Sequence, residues 1–269
     1  FVNDTTCQTV NLGLTPPRYV AEGLHEWLYR QQIAVGCVHP GDDLSGIKLY
    51  IVPHYTTFPQ AWVDNLATYV EQGGTLVLGA RSGCKDQHDN VIDKTLPGVL
   101  RELTGVQVEE YGRQNDPKKR PLLLGNETGE VVISEWYEML ELDDADPFAV
   151  WHSRHLKGSP AISIRKHGKG HVLYVGAWMN GDIVDWLMPQ LVELAGLQPQ
   201  LPDLPEGVEI VVRESRSSGK RLTFVLNHAD TATTIPDLPD GTDLVTGVEV
   251  TSPMVLAPSD VMVIQSIPG

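Results

Sequence analysis

The segment from Ala61 to Ala80 constrains this chain more than any other. Trp62, Leu66, Tyr69 and Val70 recur at helical spacing, Gly73-Gly74 stops the helix, and Thr75-Leu76-Val77-Leu78-Gly79-Ala80 follows as a nearly unbroken apolar strand. A strand apolar at successive positions must be covered on both faces, which is the situation inside a parallel sheet. The same alternation runs upstream. Pro16-Pro17 precede a helix over 18–28 that places Val20, Leu24, Trp27 and Leu28 on one side, Ile33 to Val38 reads as a short strand, and Lys48 to Val52 reads as another ending at Pro53. Alternating helices and apolar strands predict an α/β fold, a parallel sheet with helices on both sides.

Downstream the pattern becomes richer in strands. After a short helix around Leu96–Leu103, strands are expected at Val131–Ile133, at Ala161–Arg165 and at His171–Val175, the last two forming a hairpin across His167-Gly168-Lys169-Gly170. A helix from Asp182 to Ala195 closes the unit. Pro199, Pro202 and Pro205 then mark a linker, because proline continues neither a helix nor an inner strand. Beyond it lie only short strands, including Arg221–Asn227 and Val261–Ile264, separated by Gly and Pro-Asp turns. The expected organisation is one α/β domain over residues 1–200 and a small antiparallel β-domain of sandwich type over 206–269.

A length of 269 residues accommodates two such domains, and 41% hydrophobic residues supply a core. The net charge of −15 argues against nucleic acid and anionic lipid, which are held by clustered Lys and Arg. The basic run Lys118-Lys119-Arg120, between Pro117 and Pro121, reads as a solvated loop. No apolar run approaches the ~20 residues of a membrane helix. The three cysteines, Cys7, Cys37 and Cys84, are too scattered for a disulfide framework or a metal knuckle, and suggest a reducing, cytoplasmic setting.

The polar loop from Arg81 to Lys94 follows the carboxyl end of the central strand, where α/β folds place ligands and partners. Arg81, Ser82, Lys85, Asp86 and Asn90 are its candidate interface or ligand residues. Two readings stand: a surface for a partner or a borrowed sugar site, or an internal Arg81-Asp86 or Lys85-Asp86 charge network that only orders the loop. No catalytic constellation is expected. Asn126-Glu127 resembles the acid-bearing pair of a glycosidase barrel but lies in a turn, Gly125 to Glu130, and a barrel of roughly 250 residues needs eight strand–helix units. Cys84 is the one thiol near a suitable strand, flanked by Ser82 and Asp86 where a nucleophile elbow wants glycine. His167 and His171 fall on different strands of the hairpin, and neither a metal nor a cofactor is expected. The tryptophans Trp62, Trp136, Trp151, Trp178 and Trp186 read as core or interface residues.

Three groups of residues together resemble glycoside hydrolase family 42 β-galactosidases. The first is Ile47 to Pro53 continuing to Tyr69–Leu78 and Arg81-Ser82-Gly83-Cys84-Lys85-Asp86. The second is Gly158-Ser159-Pro160-Ala161 with His167 to Gly170. The third is Phe224 to His228 with Asp243 to Gly247 and a terminal strand after Pro258-Ser259-Asp260. Their order covers nearly the whole chain. The resemblance implies a trimerisation domain of flavodoxin-like, class I glutamine amidotransferase-like fold, then a small β-domain, without the catalytic TIM barrel. It also implies a non-catalytic homotrimeric assembly region whose parent enzyme hydrolyses terminal β-galactosides. Two alternatives are a stand-alone amidotransferase-like enzyme with Cys84 as nucleophile and a carbohydrate-binding module. The usual first strand is represented only by Cys7 to Leu12, a partial candidate.

Overall fold

The computed structural model describes residues 13–86, 88, 90–201, 204–215 and 217–266. The candidate first strand at Cys7 to Leu12 and the linker residue Pro202 lie outside the described residues. By their contacts the residues divide into two units, one of residues up to Trp27 with Cys37–Leu197, the other of Leu28–Gly36 with residues from Gln198 onward.

Helix α1 (Pro17–Arg30) belongs to the first unit as far as Trp27 and to the second from Leu28; its opening proline needs no N–H partner at a helix start, and its Val20, Leu24 and Leu28 are buried. Strand β1 (Leu49–Val52) leads through α2 (Gln60–Glu71) to β2 (Thr75–Gly79), and the two strands pair in parallel with Leu49 opposite Thr75. All five residues of β2 are buried, as its apolar run requires. A short 3-10 turn and α3 (Arg101–Thr104) follow, then six strands: β3 (Val106–Arg113), β4 (Leu123–Asn126), β5 (Gly129–Val132), β6 (Trp136–Leu142), β7 (Asp146–Trp151) and β8 (Pro160–His167). Strand β9 (Gly170–Val175) and helix α4 (Asp182–Leu194) complete the unit.

This is not the α/β fold of flavodoxin-like or amidotransferase-like type that the helix–strand alternation and the resemblance led us to expect. Among the described residues strand clearly outweighs helix, and the main sheet is a curled, mixed one. Its order is β1-β2-β9-β8-β7-β4-β5; β1, β2 and β9 run parallel, and every pairing from β9 to β5 is antiparallel. The cause is connection length. Parallel neighbours need a crossover of a dozen or more residues, whereas β4–β5 and β8–β9 are joined by tight turns that permit only antiparallel pairing. In the second of these turns Gly168 has φ +59°, and a Cβ there would meet the Glu71 backbone at 2.6 Å. Strands β3 and β6 form a separate antiparallel ribbon.

The expected strand at Ile33 to Val38 is irregular chain. Gln32 ends the helix with φ +57°, and its amide bonds Val208 O (3.1 Å) and Ile210 N (3.4 Å), while its carbonyl accepts Gln200 N (2.8 Å). These polar links, made within the second unit, hold the segment without a sheet ladder.

The second unit has β10 (Val208–Glu214), β11 (Arg221–Asn227), β12 (Thr233–Ile235), β13 (Gly241–Asp243), β14 (Glu249–Val250), β15 (Met254–Leu256) and β16 (Val261–Ser266). Instead of the expected sandwich it forms two separate antiparallel sheets, β10-β11-β16-β13-β14 and the ribbon β12-β15. Val208, Ile210, Val225, Ile235, Val250, Leu256 and Ile264 form its core. The turn after β13 is built on Asp243, whose carboxylate accepts Val245 N (3.1 Å), Thr246 N (3.2 Å), Thr246 Oγ1 (2.5 Å) and Val263 N (3.0 Å) while Leu244, Val245 and Val248 stay exposed.

Candidate functional site

Two parallel strands end in the same unusual way. Two residues beyond β1, His54 has φ +56°, and two residues beyond β2, Arg81 has φ +66°. A left-handed conformation costs a non-glycine residue on the order of 1–2 kcal/mol and persists only where its surroundings over-determine it. Here they do, through two buried side chains that the sequence patterns did not single out.

Glu138, on β6, lies beneath the Arg81 turn. Its Oε1 accepts the Arg81 backbone N–H and the Trp136 indole N–H, each at 3.0 Å, and its Oε2 accepts the Tyr174 hydroxyl at 2.8 Å. Its own carbonyl accepts the Trp151 indole N–H at 3.0 Å. Burial pushes the Glu138 carboxyl above the usual glutamate range, against the opposing pull of Tyr174, Trp136 and the Arg81 amide. The Arg81 guanidinium sits over the Trp136 ring, 4.8 Å from its centroid, and Tyr111 stacks on the same indole at 5.2 Å. The signal available in sequence was alternation: in Trp136-Tyr137-Glu138-Met139-Leu140, the glutamate occupies an inward position between two core residues.

His54 plays the matching part at β1. Its Nε2 accepts Met179 N at 2.9 Å, so the proton resides on Nδ1, which donates to Ala80 O at 2.9 Å. The ring stacks on Trp178 at 3.6 Å, and Gly79 is needed beside it because a Cβ there would come within 2.7 Å of Nδ1. Burial holds its pKa down to about 3, keeping the imidazole neutral.

The candidate loop residues divide into a base and a tip. At the base, Gly83 N bonds Tyr55 O (3.1 Å) and Lys85 N bonds Thr56 O (2.9 Å), and Lys85 forms bridges to Thr57 and Val91. Ser82 is fully buried, its hydroxyl without a hydrogen-bond partner. At the tip, Asp86 accepts His88 N (2.8 Å), Asn90 N (3.0 Å) and Asn90 Nδ2 (3.4 Å), and these bonds, that of Asn90 first, lower its carboxyl below the usual range. Asp86 thus organises its own loop, and Arg81 faces an aromatic ring.

The geometry provides no activated thiol at Cys84. The left-handed turn position belongs to Arg81, the Cys84 side chain is buried, and burial pushes its thiol up, so the protonated form prevails. His54 has both ring nitrogens committed. Asn126 secures the β4–β5 turn by bonding Gln190 Oε1 (2.8 Å) and Thr128 N (2.9 Å), and Glu127 is exposed. Of the tryptophans, Trp151 and Trp178 are fully buried. Among the described residues no group of three His, Cys, Asp or Glu is arranged to hold a metal, and no helix is long and apolar enough to cross a membrane.

A mixed-sheet unit whose prominent loop is braced by a buried carboxyl, followed by a unit of antiparallel sheets, has the fold of the corresponding part of glycoside hydrolases of known structure. Superposition on the β-galactosidase of Bacillus circulans sp. alkalophilus gives a TM-score of 0.83 at 24% identity, covering 95% of this chain and 38% of that one. Residues 11–198 match the family described as "Beta-galactosidase trimerisation domain" and residues 207–266 match "Beta-galactosidase C-terminal domain". The chain belongs to the glycoside hydrolase family 42 β-galactosidases and matches their trimerisation domain and their C-terminal domain.

Among curated relatives, β-galactosidase LacZ of Heyndrickxia coagulans is 28% identical over 240 residues, 89% of this chain and 35% of that protein. BgaB of Geobacillus sp. is 30% identical over 216 residues, 80% of this chain and 31% of that protein. The chain spans about a third of the length of these relatives.

Proposed function

We propose that this chain is the assembly part of a β-galactosidase, self-associating as a homotrimer, and that the parent enzyme hydrolyses terminal β-galactosides in a barrel domain. In this reading residues 1–200 are the assembly domain and residues 206–269 the small β-domain. The match of residues 11–198 to a trimerisation domain carries the proposal. The surface around the candidate loop supports it. Tyr111 is 57% exposed and Val91 73% exposed, and the Trp136 on which Tyr111 stacks also underlies Arg81. Aromatic and arginine side chains on rigid backing are what interface centres favour. Arg81, Lys85, Asp86 and Asn90 then rim the contact, with buried Ser82 behind them. Free thiols at Cys37 and Cys84 support a reducing, cytoplasmic setting.

Light scattering across a wide concentration range tests this: the expected mass is that of three copies of a 29.6 kDa chain. Tyr111→Asp and Val91→Asp, both at exposed positions, should shift the mass toward monomer while circular dichroism stays unchanged. Monomer at every concentration would sink the homotrimer.

A further inference from the structure

Glu138 lies beneath the centre of the proposed assembly surface. Exposed Tyr111 is its cross-strand partner on β3, and the Trp136 indole that donates to its Oε1 carries both the Tyr111 ring and the Arg81 guanidinium. The chain after β2 adds the Arg81 N–H, β9 adds the Tyr174 hydroxyl, and β7 adds the Trp151 indole on the Glu138 carbonyl. The charged and titratable groups around this carboxyl are thus Arg81, Tyr111, Tyr174 and Cys84, with Lys85 acting on Cys84.

The two carboxyl oxygens are not equivalent. Oε1 accepts two N–H groups, which only donate, whereas the partner of Oε2 is a hydroxyl, which also accepts. A proton on Glu138 therefore sits on Oε2 and bonds the Tyr174 oxygen, leaving the Arg81 turn and the Trp136 indole as they are. Loss of that proton leaves a charge in a dry site, and a buried charge requires a partner. Arg81 is the cation that acts on Glu138 directly; among the described residues it makes no ion pair, and its buried Nε has no hydrogen-bond partner. Its guanidinium is held outward by the Trp136 face, a weaker attraction than an ion pair in a dry interior.

We propose that Glu138 is a proton-operated switch on self-association: neutral, it leaves Arg81 on the Trp136 face at the contact surface; ionised, it draws the guanidinium inward and weakens the contact. The switch rests on the assembly reading of this surface. Burial holds the carboxyl neutral above the usual glutamate range, against the pull of Tyr174, Trp136 and Arg81. Association is therefore strongest below the ordinary glutamate value and declines as pH rises through the folded value. Assembly in turn favours the neutral acid, since linkage is reciprocal.

Light scattering of the intact chain over a dilution series, repeated from above the isoelectric point of about 4.9 to beyond neutrality, tests the switch. The wild-type concentration of half-dissociation should rise at least about tenfold across the Glu138 titration, and the NMR signal of the Arg81 Nε–H should shift with the same midpoint. Glu138→Gln, whose amide accepts at one end and donates to Tyr174 at the other, imitates the neutral acid. It should keep the low-pH affinity and lose the step, retaining only the shallow slope that overall charge repulsion gives both proteins. Tyr174→Phe removes a donor to the carboxylate and should move the midpoint to higher pH, which keeps the switch testable should the glutamine variant not fold. A trimer with the same pH dependence in wild type and Glu138→Gln, or an Arg81 signal that does not titrate, would overturn the switch and leave the assembly reading standing. Monomer at every pH would overturn the assembly reading and the switch with it.

Discussion

The Arg81 turn of the first unit and the Asp243 turn of the second are each built over one covered carboxyl group, but the two groups titrate in opposite directions. Glu138 receives its three donors from separate places: the chain after β2, its own strand β6, and β9. It is sealed in the interior, and burial outweighs the donors, so its pKa rises. Burial also acts to raise Asp243, but three of its four donors come from its own turn, and together the hydrogen bonds prevail and lower its pKa. A local turn brings its donors with it; a carboxyl fed by distant strands depends on the whole sheet being in place.

The sharpest way to break this contrast is Glu138→Ala. Arg81 N–H, the Trp136 indole and the Tyr174 hydroxyl would all lose a buried acceptor, and urea denaturation should show a loss of ~3–5 kcal/mol. A loss below ~1 kcal/mol would mean that water reaches the site. Asp243→Ala should cost less, ~2–3 kcal/mol, because its turn lies at the surface and solvent can replace part of what is lost.

The smallest effects, and the finest test, lie in pH dependence. Glu138 has a raised pKa in the fold, so its contribution is complete below the ordinary glutamate value and is lost as pH rises through the folded value. Glu138→Gln should flatten that decline. Asp243 has a depressed pKa, so its contribution is complete above the ordinary aspartate value and is lost as pH falls through the folded value. Asp243→Asn should flatten the acid side instead. Unfolding curves that changed on the same side of the pH profile for both variants would refute the contrast.

The legible parts of the sequence are those in which one element declares itself. The period of Leu66, Tyr69 and Val70, the apolar run of β2 and the glycine-marked β8–β9 turn appear in the structure close to where the patterns put them, although Val63 rather than Trp62 takes the buried place at the head of the helix face. Strand direction was not legible, because apolar alternation is the same for parallel and antiparallel neighbours. The β3–β6 ribbon escaped notice since Val106–Arg113 is mostly half-buried or exposed and rich in charge. At the site, the loop was visible as an unusually long polar stretch, but Glu138 braces Arg81 from 57 residues away, and the His54 ring finds its partners at Ala80 and Met179, 26 and 125 residues away. Only tertiary contact reveals them.

The point where the sheet changes direction also orders events in time. The β8–β9 hairpin closes over a four-residue turn, so it can form within microseconds of the chain collapsing. The parallel pairing of β2 with β9 joins Thr75 to His171, about a hundred residues apart, and must await closure of a long loop. Strand β9 therefore acts as a template prepared early on one edge and filled late on the other. The Arg81 turn, which needs Tyr174 of that strand and Glu138 of β6 together, should be among the last parts of the unit to gain protection in a refolding experiment.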